Sequence, residues 1–170
     1  MVQTIHQRLM PVFLIPVLTA SLILVAGVAG YSSTRSQREQ ARKEKAEPAG
    51  VREIKALLAR QVEAWNRRDL DSFMQGYWKS TDLTFFSNTT MTSGWVSTLE
   101  RYRHSYQSPG KEMGFLEFLD LKIELLGPRA AFARGKYHLK MSGQEASGIF
   151  TLVLQKTGEG WRIIHDHTSS

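Results

Sequence analysis

The chain of 170 residues contains no cysteine. This absence excludes disulfides, a cysteine nucleophile and zinc sites built from pairs of thiolates. The sequence also lacks the patterns GxGxxG, GxxxxGK[ST], GxSxG and HExxH. Their absence argues against nucleotide binding by a standard loop, serine hydrolysis and zinc proteolysis.

Charge is nearly absent from the start of the chain and concentrated in the segment that follows. Arg8 is the only charged side chain before Tyr31, although the formal net charge of the chain is +6. Much of the excess lies in "RSQREQARKEKAEPAG", and we interpret residues 31–50 as a solvated, flexible tether. The rest has no basic stripe interleaved with aromatic residues, so no nucleic-acid partner is predicted.

An uncharged apolar run covers residues 10–30. Its length is close to the roughly 20 residues that a membrane helix needs. Residues 1–30 are therefore predicted to be a signal peptide or a signal anchor, with the membrane contacted through residues 10–30 if they are not cleaved. This predicts an exported or periplasmic protein, or one anchored in the inner membrane. The basic residues after the run favour the alternative of an anchored domain that faces the cytoplasm.

Residues 51–170 show the periodicities of a folded domain. Apolar residues at helical spacing predict two helices before "LTFFSNTTMTSGW", which is typical of a short hairpin, and a third helix from Trp95. After Pro109 the pattern changes to four strand-like runs separated by short turns: 113–126, 130–141, 146–156 and 161–168. Short turns join antiparallel neighbours, so an α+β domain with an antiparallel meander is expected.

Several stretches resemble the SnoaL-like branch of the nuclear transport factor 2-like superfamily. They are "LLARQVEAWNRRDLDSFMQGYW", "LTFFSNTTMTSGW", "LERYRHSY", "MGFLEFLDLKIELLG" and "GWRIIHDHTS". The resemblance implies a cone in which a curved antiparallel sheet packs on three helices, with a cavity at its open end and frequent homodimerisation through the sheet. Members include isomerases, dehydratases, polyketide cyclases, binding domains and assembly domains, so fold alone does not choose a function.

The last strand is also similar to the association domain of calcium/calmodulin-dependent kinase II, which assembles rings. His138 stands where one basic pocket residue of that family lies, but Leu152 takes the place of another. The resemblance therefore does not imply an anion pocket.

"WRIIHDHTSS" ends the chain with two histidines around an aspartate. Strand alternation places Trp161, Ile163, His165 and His167 on one face, and the two leading apolar residues make that the core face. We therefore expect His165 and His167 to approach the cavity, and Asp166 to lie on the opposite face of the sheet.

Three interpretations of His165 and His167 stay open. They can act as general base for proton abstraction next to a carbonyl. They can chelate a metal, but a firm site needs a third protein ligand. His104 and His138 are the right residue type for that ligand, but no motif places either of them there. No metal is therefore predicted. They can also hydrogen-bond to neighbours and fix the last strand.

Aromatic and histidine residues supply the other candidate positions. The possible pocket lining is Tyr77, Trp95, Tyr102, His104 and His138. Structural roles are expected for three residues: Trp65 and Trp161 in the core, and Asp69 as a helix N-cap.

The leading functional hypothesis is a domain that binds a small, partly apolar molecule in the cone, without a cofactor, and forms a homodimer. One alternative is an isomerase, dehydratase or cyclase that uses a histidine base. The other alternative is a homo-oligomeric assembly module.

Overall fold

A computed structural model describes residues 36–38, which are helical, and residues 47–170. Within these ranges no helix has both the length and the apolar character needed to cross a membrane. The signal peptide or anchor predicted for residues 1–30 lies outside the described residues, as does most of the predicted tether at 31–50.

The domain contains three helices and six strands. The helices are α1 Ala49–Asn66, α2 Leu70–Met74 and α3 Trp95–Tyr106. The strands are β1 Thr84–Ser87, β2 Thr90–Ser93, β3 Phe115–Leu125, β4 Ala130–Met141, β5 Gln144–Thr157 and β6 Gly160–Ser169. The predicted order of helix, helix, hairpin, helix and four strands is the observed order.

Helix α1 presents one apolar face to the sheet. Its buried residues recur every three or four positions, as in an amphipathic helix: Val51, Ile54, Leu57, Leu58, Gln61, Ala64 and Trp65. The Trp65 indole Nε1 donates a hydrogen bond of 2.8 Å to the carbonyl of Met113. After α1 the chain turns, and the Asp69 carboxylate accepts a 3.0 Å bond from the Ser72 N–H at the start of α2.

The sheet is mixed, with the strand order β2-β1-β6-β5-β4-β3. Strands β3 to β6 form the predicted antiparallel meander, whereas β1 pairs parallel to β6. The parallel pairing starts before β1, because Ile163 donates to the carbonyl of Gly76 and accepts from the Trp78 N–H, both at 2.9 Å. The meander was predictable from its short turns, but the partner of β1 is distant in the sequence.

Strand β6 contains a bulge at Ile164. His165 lies opposite Val153 of β5, whereas Ile163 lies opposite Leu154, so Ile164 is an extra residue. A bulge changes which side chains point to each face. Trp161 and Ile163 point to the core before the bulge, and Asp166 points to the core after it.

Asn66, the last residue of α1, holds the helix against the outer edge of the sheet. Its side-chain oxygen accepts from the Leu116 N–H at 2.7 Å, and its Nδ2 donates to the Leu116 carbonyl at 3.1 Å. Both backbone groups belong to edge strand β3, which would otherwise leave them without a protein partner.

We predict that Asn66→Ala lowers the free energy of unfolding by about 1–3 kcal/mol, because two partly buried backbone groups lose their partner. Urea denaturation measures this change. Asn66→Asp keeps the acceptor for the Leu116 N–H but sets an oxygen against the Leu116 carbonyl, so it should also lower the free energy of unfolding. The exposed neighbour Arg67→Ala is the control, and an equal loss in that variant would contradict the assignment.

Candidate functional site

A cavity of about 130 Å³ lies inside the cone, between the helices and the inner face of the sheet. Eight aromatic residues line it: Trp65, Phe73, Tyr77, Tyr102, Tyr106, Phe118, Tyr137 and Phe150. The remaining lining is aliphatic (Leu116, Leu139, Leu152, Ile163) or polar (Gln61, Ser87, Asp166, Thr168). An apolar cavity of about 150 Å³ holds a benzene ring, so this volume suits a ligand of one ring.

Within residues 47–170, Asp166 supplies the only carboxyl group of the cavity wall, and it is 4% exposed. The Tyr77 hydroxyl donates to Asp166 Oδ2 at 2.7 Å, and the Thr168 hydroxyl donates to Oδ1 at 2.9 Å. The Tyr102 hydroxyl lies 3.4 Å from that of Tyr77. Four polar side chains are therefore connected at one place in an aromatic cavity.

Three elements bring this cluster together. The bulge at Ile164 turns Asp166 inward, and Tyr77 is bridged to β6 at Ile163. Tyr102 lies on the inward face of α3 and packs against Phe73 with ring centroids 5.4 Å apart. The polar cluster is thus held by backbone pairing and by ring packing, not by flexible loops.

Burial controls the charge of this cluster. It raises the pKa of Asp166 to about 6, and this rise is opposed by the hydrogen bonds from Tyr77 and Thr168 and by the charge of His167. Burial also raises the pKa of Tyr77 and of Tyr102 well above that of a free tyrosine. Asp166 is consequently the cavity group whose charge changes close to neutral pH.

His165 and His167 lie on the outer face of the sheet, and neither lines the cavity. His165 Nδ1 is 2.6 Å from the Thr84 hydroxyl, and its ring meets Phe86 with centroids 4.9 Å apart. The expected placement of these histidines at the cavity is wrong, and so is the expected outward placement of Asp166. Both expectations depend on strict alternation through β6, which the bulge at Ile164 breaks. The catalytic role predicted for the histidines therefore lacks access to a ligand in the cone.

Of the predicted lining residues, Tyr77 and Tyr102 lie in the cavity wall, whereas Trp95 does not. Trp95 opens α3, and its indole Nε1 donates to the carbonyl of Met74 at 3.0 Å. This bond fixes α3 against α2, outside the cavity wall.

The other two predicted lining residues also lie elsewhere. His104 is exposed on α3, whose inward positions include Leu99 and Tyr102. His138 lies on the outer face of β4, with Nε2 3.0 Å from a Glu145 oxygen. In that strand it is the neighbouring Tyr137 that lines the cavity.

Sequence reasoning missed Asp166, Thr168 and Gln61 as cavity residues. Nothing in the residue types of β6 marks the bulge, and Gln61 lies within an otherwise apolar helix face. Tyr106 and Tyr137 could have been predicted as cavity residues from the sequence. Tyr106 continues the apolar face of α3, and Tyr137 alternates with the outward residues of β4. Among residues 36–38 and 47–170, no group of three His, Asp or Glu side chains is arranged to hold a metal ion.

Comparison with known families shows one match. A family model described as "SnoaL-like domain" matches residues 54–170, which is most of the chain. No curated protein sequence matches this chain.

Solved structures share the fold. A nuclear transport factor 2-like protein of unknown function from Shewanella oneidensis MR-1 is 38% identical, covers 71% of this chain and 98% of its own, and gives a TM-score of 0.66. A nuclear transport factor 2-like superfamily protein from Salmonella enterica serovar Typhimurium is 23% identical, with 70% and 89% covered and a TM-score of 0.59. A ketosteroid isomerase-like protein from Erwinia carotovora atroseptica is 18% identical, with 72% and 97% covered and a TM-score of 0.56. The last two likenesses show the fold alone.

We predict that Asp166 makes the domain less stable as the pH rises. Its pKa of about 6 in the folded state exceeds that of an unfolded aspartate, so the folded state holds the proton more tightly. This proton stabilises the folded state by about 3 kcal/mol. The stabilisation is complete below about pH 4 and is lost as the pH rises from about 4 to 6. Asp166→Asn should therefore gain stability relative to the wild type over this interval, as measured by urea denaturation at each pH.

Asp120→Asn is the matched control for this experiment. Asp120 is exposed, and its hydrogen bond and ion pair with Lys136 lower the pKa of its carboxyl, so it titrates below the interval. A difference between Asp166→Asn and wild type that does not change from pH 4 to 7 would contradict the assignment.

Proposed function

This chain belongs to the SnoaL-like domain family, and we propose its function from the cavity, because the fold does not fix an activity. The cavity binds a small, partly apolar molecule about the size of a single ring. The observation that carries the proposal is the Asp166 carboxyl, held by the Tyr77 and Thr168 hydroxyls inside an aromatic wall. Small-molecule sites commonly combine apolar walls with a few convergent polar groups.

A purely structural role explains the Asp166 carboxyl poorly. Burial of an ionisable group opposes its charged form, and an apolar side chain would avoid that cost. Strongly shifted carboxyl groups in clefts are typical of functional sites. The aromatic wall would supply affinity through burial, while Asp166 and Tyr102 would orient the polar end of the ligand.

Two wider parts of the hypothesis rest on the sequence and the resemblance. Export or membrane tethering through residues 10–30 is proposed from their composition. Homodimerisation through the sheet is proposed from the resemblance. These two parts concern the localisation and the oligomeric state of the protein. The proposal that the cavity binds a ligand does not depend on either of them.

We predict that a larger side chain at Leu152 blocks binding. Leu152 of β5 lines the cavity opposite Asp166, whereas Val153 points to the other face of the same strand. Leu152→Phe should abolish binding of single-ring probes (phenol, benzyl alcohol, benzylamine and acetophenone), and Val153→Phe should retain it. Saturation-transfer NMR measures binding, and circular dichroism checks the fold of each variant. If no probe binds the wild type, or if both variants bind equally, the proposal fails.

Proton transfer is the second candidate function, with Asp166 in place of the predicted histidine base. A general base works best when its pKa lies near the operating pH, and the pKa of Asp166 is about 6. The Tyr102 hydroxyl, 3.4 Å from that of Tyr77, could donate to the oxygen of a carbonyl ligand and stabilise an enolate. This arrangement would suit isomerase, dehydratase or cyclase chemistry.

We predict that the wild type accelerates the exchange of the methyl protons of acetophenone in D₂O, and that Asp166→Asn lowers this acceleration by about 10²-fold or more, because the base is removed. Proton NMR follows the loss of the methyl signal, with buffer alone and Asp120→Asn as controls. Equal exchange rates in the wild type and Asp166→Asn would exclude Asp166 as the base.

A further inference from the structure

Among the residues that the structure describes, the cavity wall contains one group that can carry a charge at neutral pH, and that charge is negative. Of its sixteen residues only Asp166 is an Asp, Glu, Lys, Arg or His, and burial keeps Tyr77 and Tyr102 neutral by raising the pKa of each. An anionic ligand would meet no cation in the wall, and it would lie beside a carboxylate. A cationic ligand would meet a carboxylate that it can pair with.

The aromatic wall adds a second preference in the same direction. Trp65 meets Phe73, Tyr102 and Tyr106 at interplanar angles of 66°, 76° and 78°. Tyr102 and Tyr106 stack on each other at 26°, so the wall combines one stacked pair with rings inclined steeply to it. Ring faces attract cations, and rings at steep angles present faces from several directions.

Several hydrogen-bond acceptors at the polar end of the cavity remain open to a ligand. Tyr77 and Thr168 already donate to Asp166, and Gln61 donates its Nε2 to the Phe73 carbonyl at 3.1 Å. The carboxylate lone pairs, the Tyr102 oxygen and Gln61 Oε1 remain as acceptors. This set matches a group with several N–H donors, such as an ammonium, which makes its strongest bonds with a carboxylate.

The Arg101 guanidinium and the His167 imidazole lie near this site but outside the cavity wall. Arg101 lies over the ring of Phe85 at 5.2 Å and donates to the Thr92 hydroxyl at 3.2 Å. His167 is exposed on the outer face of β6. The charge of Arg101 weakens the local negative potential. Neither Arg101 nor His167 is interposed between the cavity and Asp166, so a bound cation still contacts the carboxylate directly.

We propose that the ligand of this cavity is a protonated amine carried on a single small ring, bound with its ammonium on Asp166 and its ring among the aromatic side chains. The inference rests on the proposed binding function and specifies its ligand class. The volume of about 130 Å³ limits the apolar part to about one six-membered ring. The pairing would remove the cost of an unpaired buried carboxylate, which neither a neutral nor an anionic ligand does.

Three probes that share one ring and differ in charge test the ligand class: benzylamine, benzyl alcohol and benzoate. Isothermal titration at pH 8 should give benzylamine a dissociation constant at least about tenfold below that of benzyl alcohol, with no binding of benzoate. At pH 5, where Asp166 is mostly protonated, the preference for benzylamine should fall by about tenfold. This measurement uses the wild type only, so it does not depend on whether a variant folds.

Variants of Asp166 and Asp120 test whether the preference for benzylamine depends on the Asp166 carboxyl. Asp166→Asn should remove the preference for benzylamine over benzyl alcohol. Asp120→Asn changes the net charge equally at an exposed site and should keep the preference. If benzyl alcohol binds as well as benzylamine at pH 8, or if Asp166→Asn keeps the preference, the amine class is overturned while cavity binding stands. If none of the three probes binds the wild type, the amine class is overturned, and phenol and acetophenone then decide whether the cavity proposal fails as well.

Discussion

The hydrogen bond from Tyr77 to Asp166 is the interaction on which the interior of the cone depends. It joins the segment before β1 to the end of β6 and holds a carboxyl group where apolar packing alone would exclude one. Burial opposes ionisation of this group, while the Tyr77 and Thr168 hydroxyls favour it. The pKa near 6 results from that opposition, and the charge of the cavity depends on it.

The surrounding fold serves to keep this bond in place. Small inward residues of β4, Ala131 and Ala133, leave room for large side chains on β5. Gly135 continues this row, since a Cβ there would lie 2.9 Å from the Phe150 ring. Trp65 fixes the end of α1 to the carbonyl of Met113, just before β3, and Asn66 fixes it to the backbone of Leu116 in β3. These contacts fix the distance between α1 and the sheet, and the cavity is the space left between them.

Sequence periodicity was sufficient for the elements but not for the site. The helical stripes and the short turns predicted three helices, the hairpin and the meander, and the quoted stretches indicated the family that the comparisons show. The error arose at one residue, Ile164, because alternation predicts faces only while a strand is regular. One extra residue exchanged the faces of Asp166 and the histidines, and thereby the candidate chemistry.

The position of β6 between β1 and β5 has a consequence for how the domain is made. Strand β6 is a central strand of the sheet, and it carries both Asp166 and Thr168. Strand β1 and its hairpin reach the meander through β6, and this pairing joins residues as distant in sequence as Thr84 and His165. A pairing of such long range costs more chain entropy than the closing of a hairpin, so the meander can form before the wall of the cavity is complete.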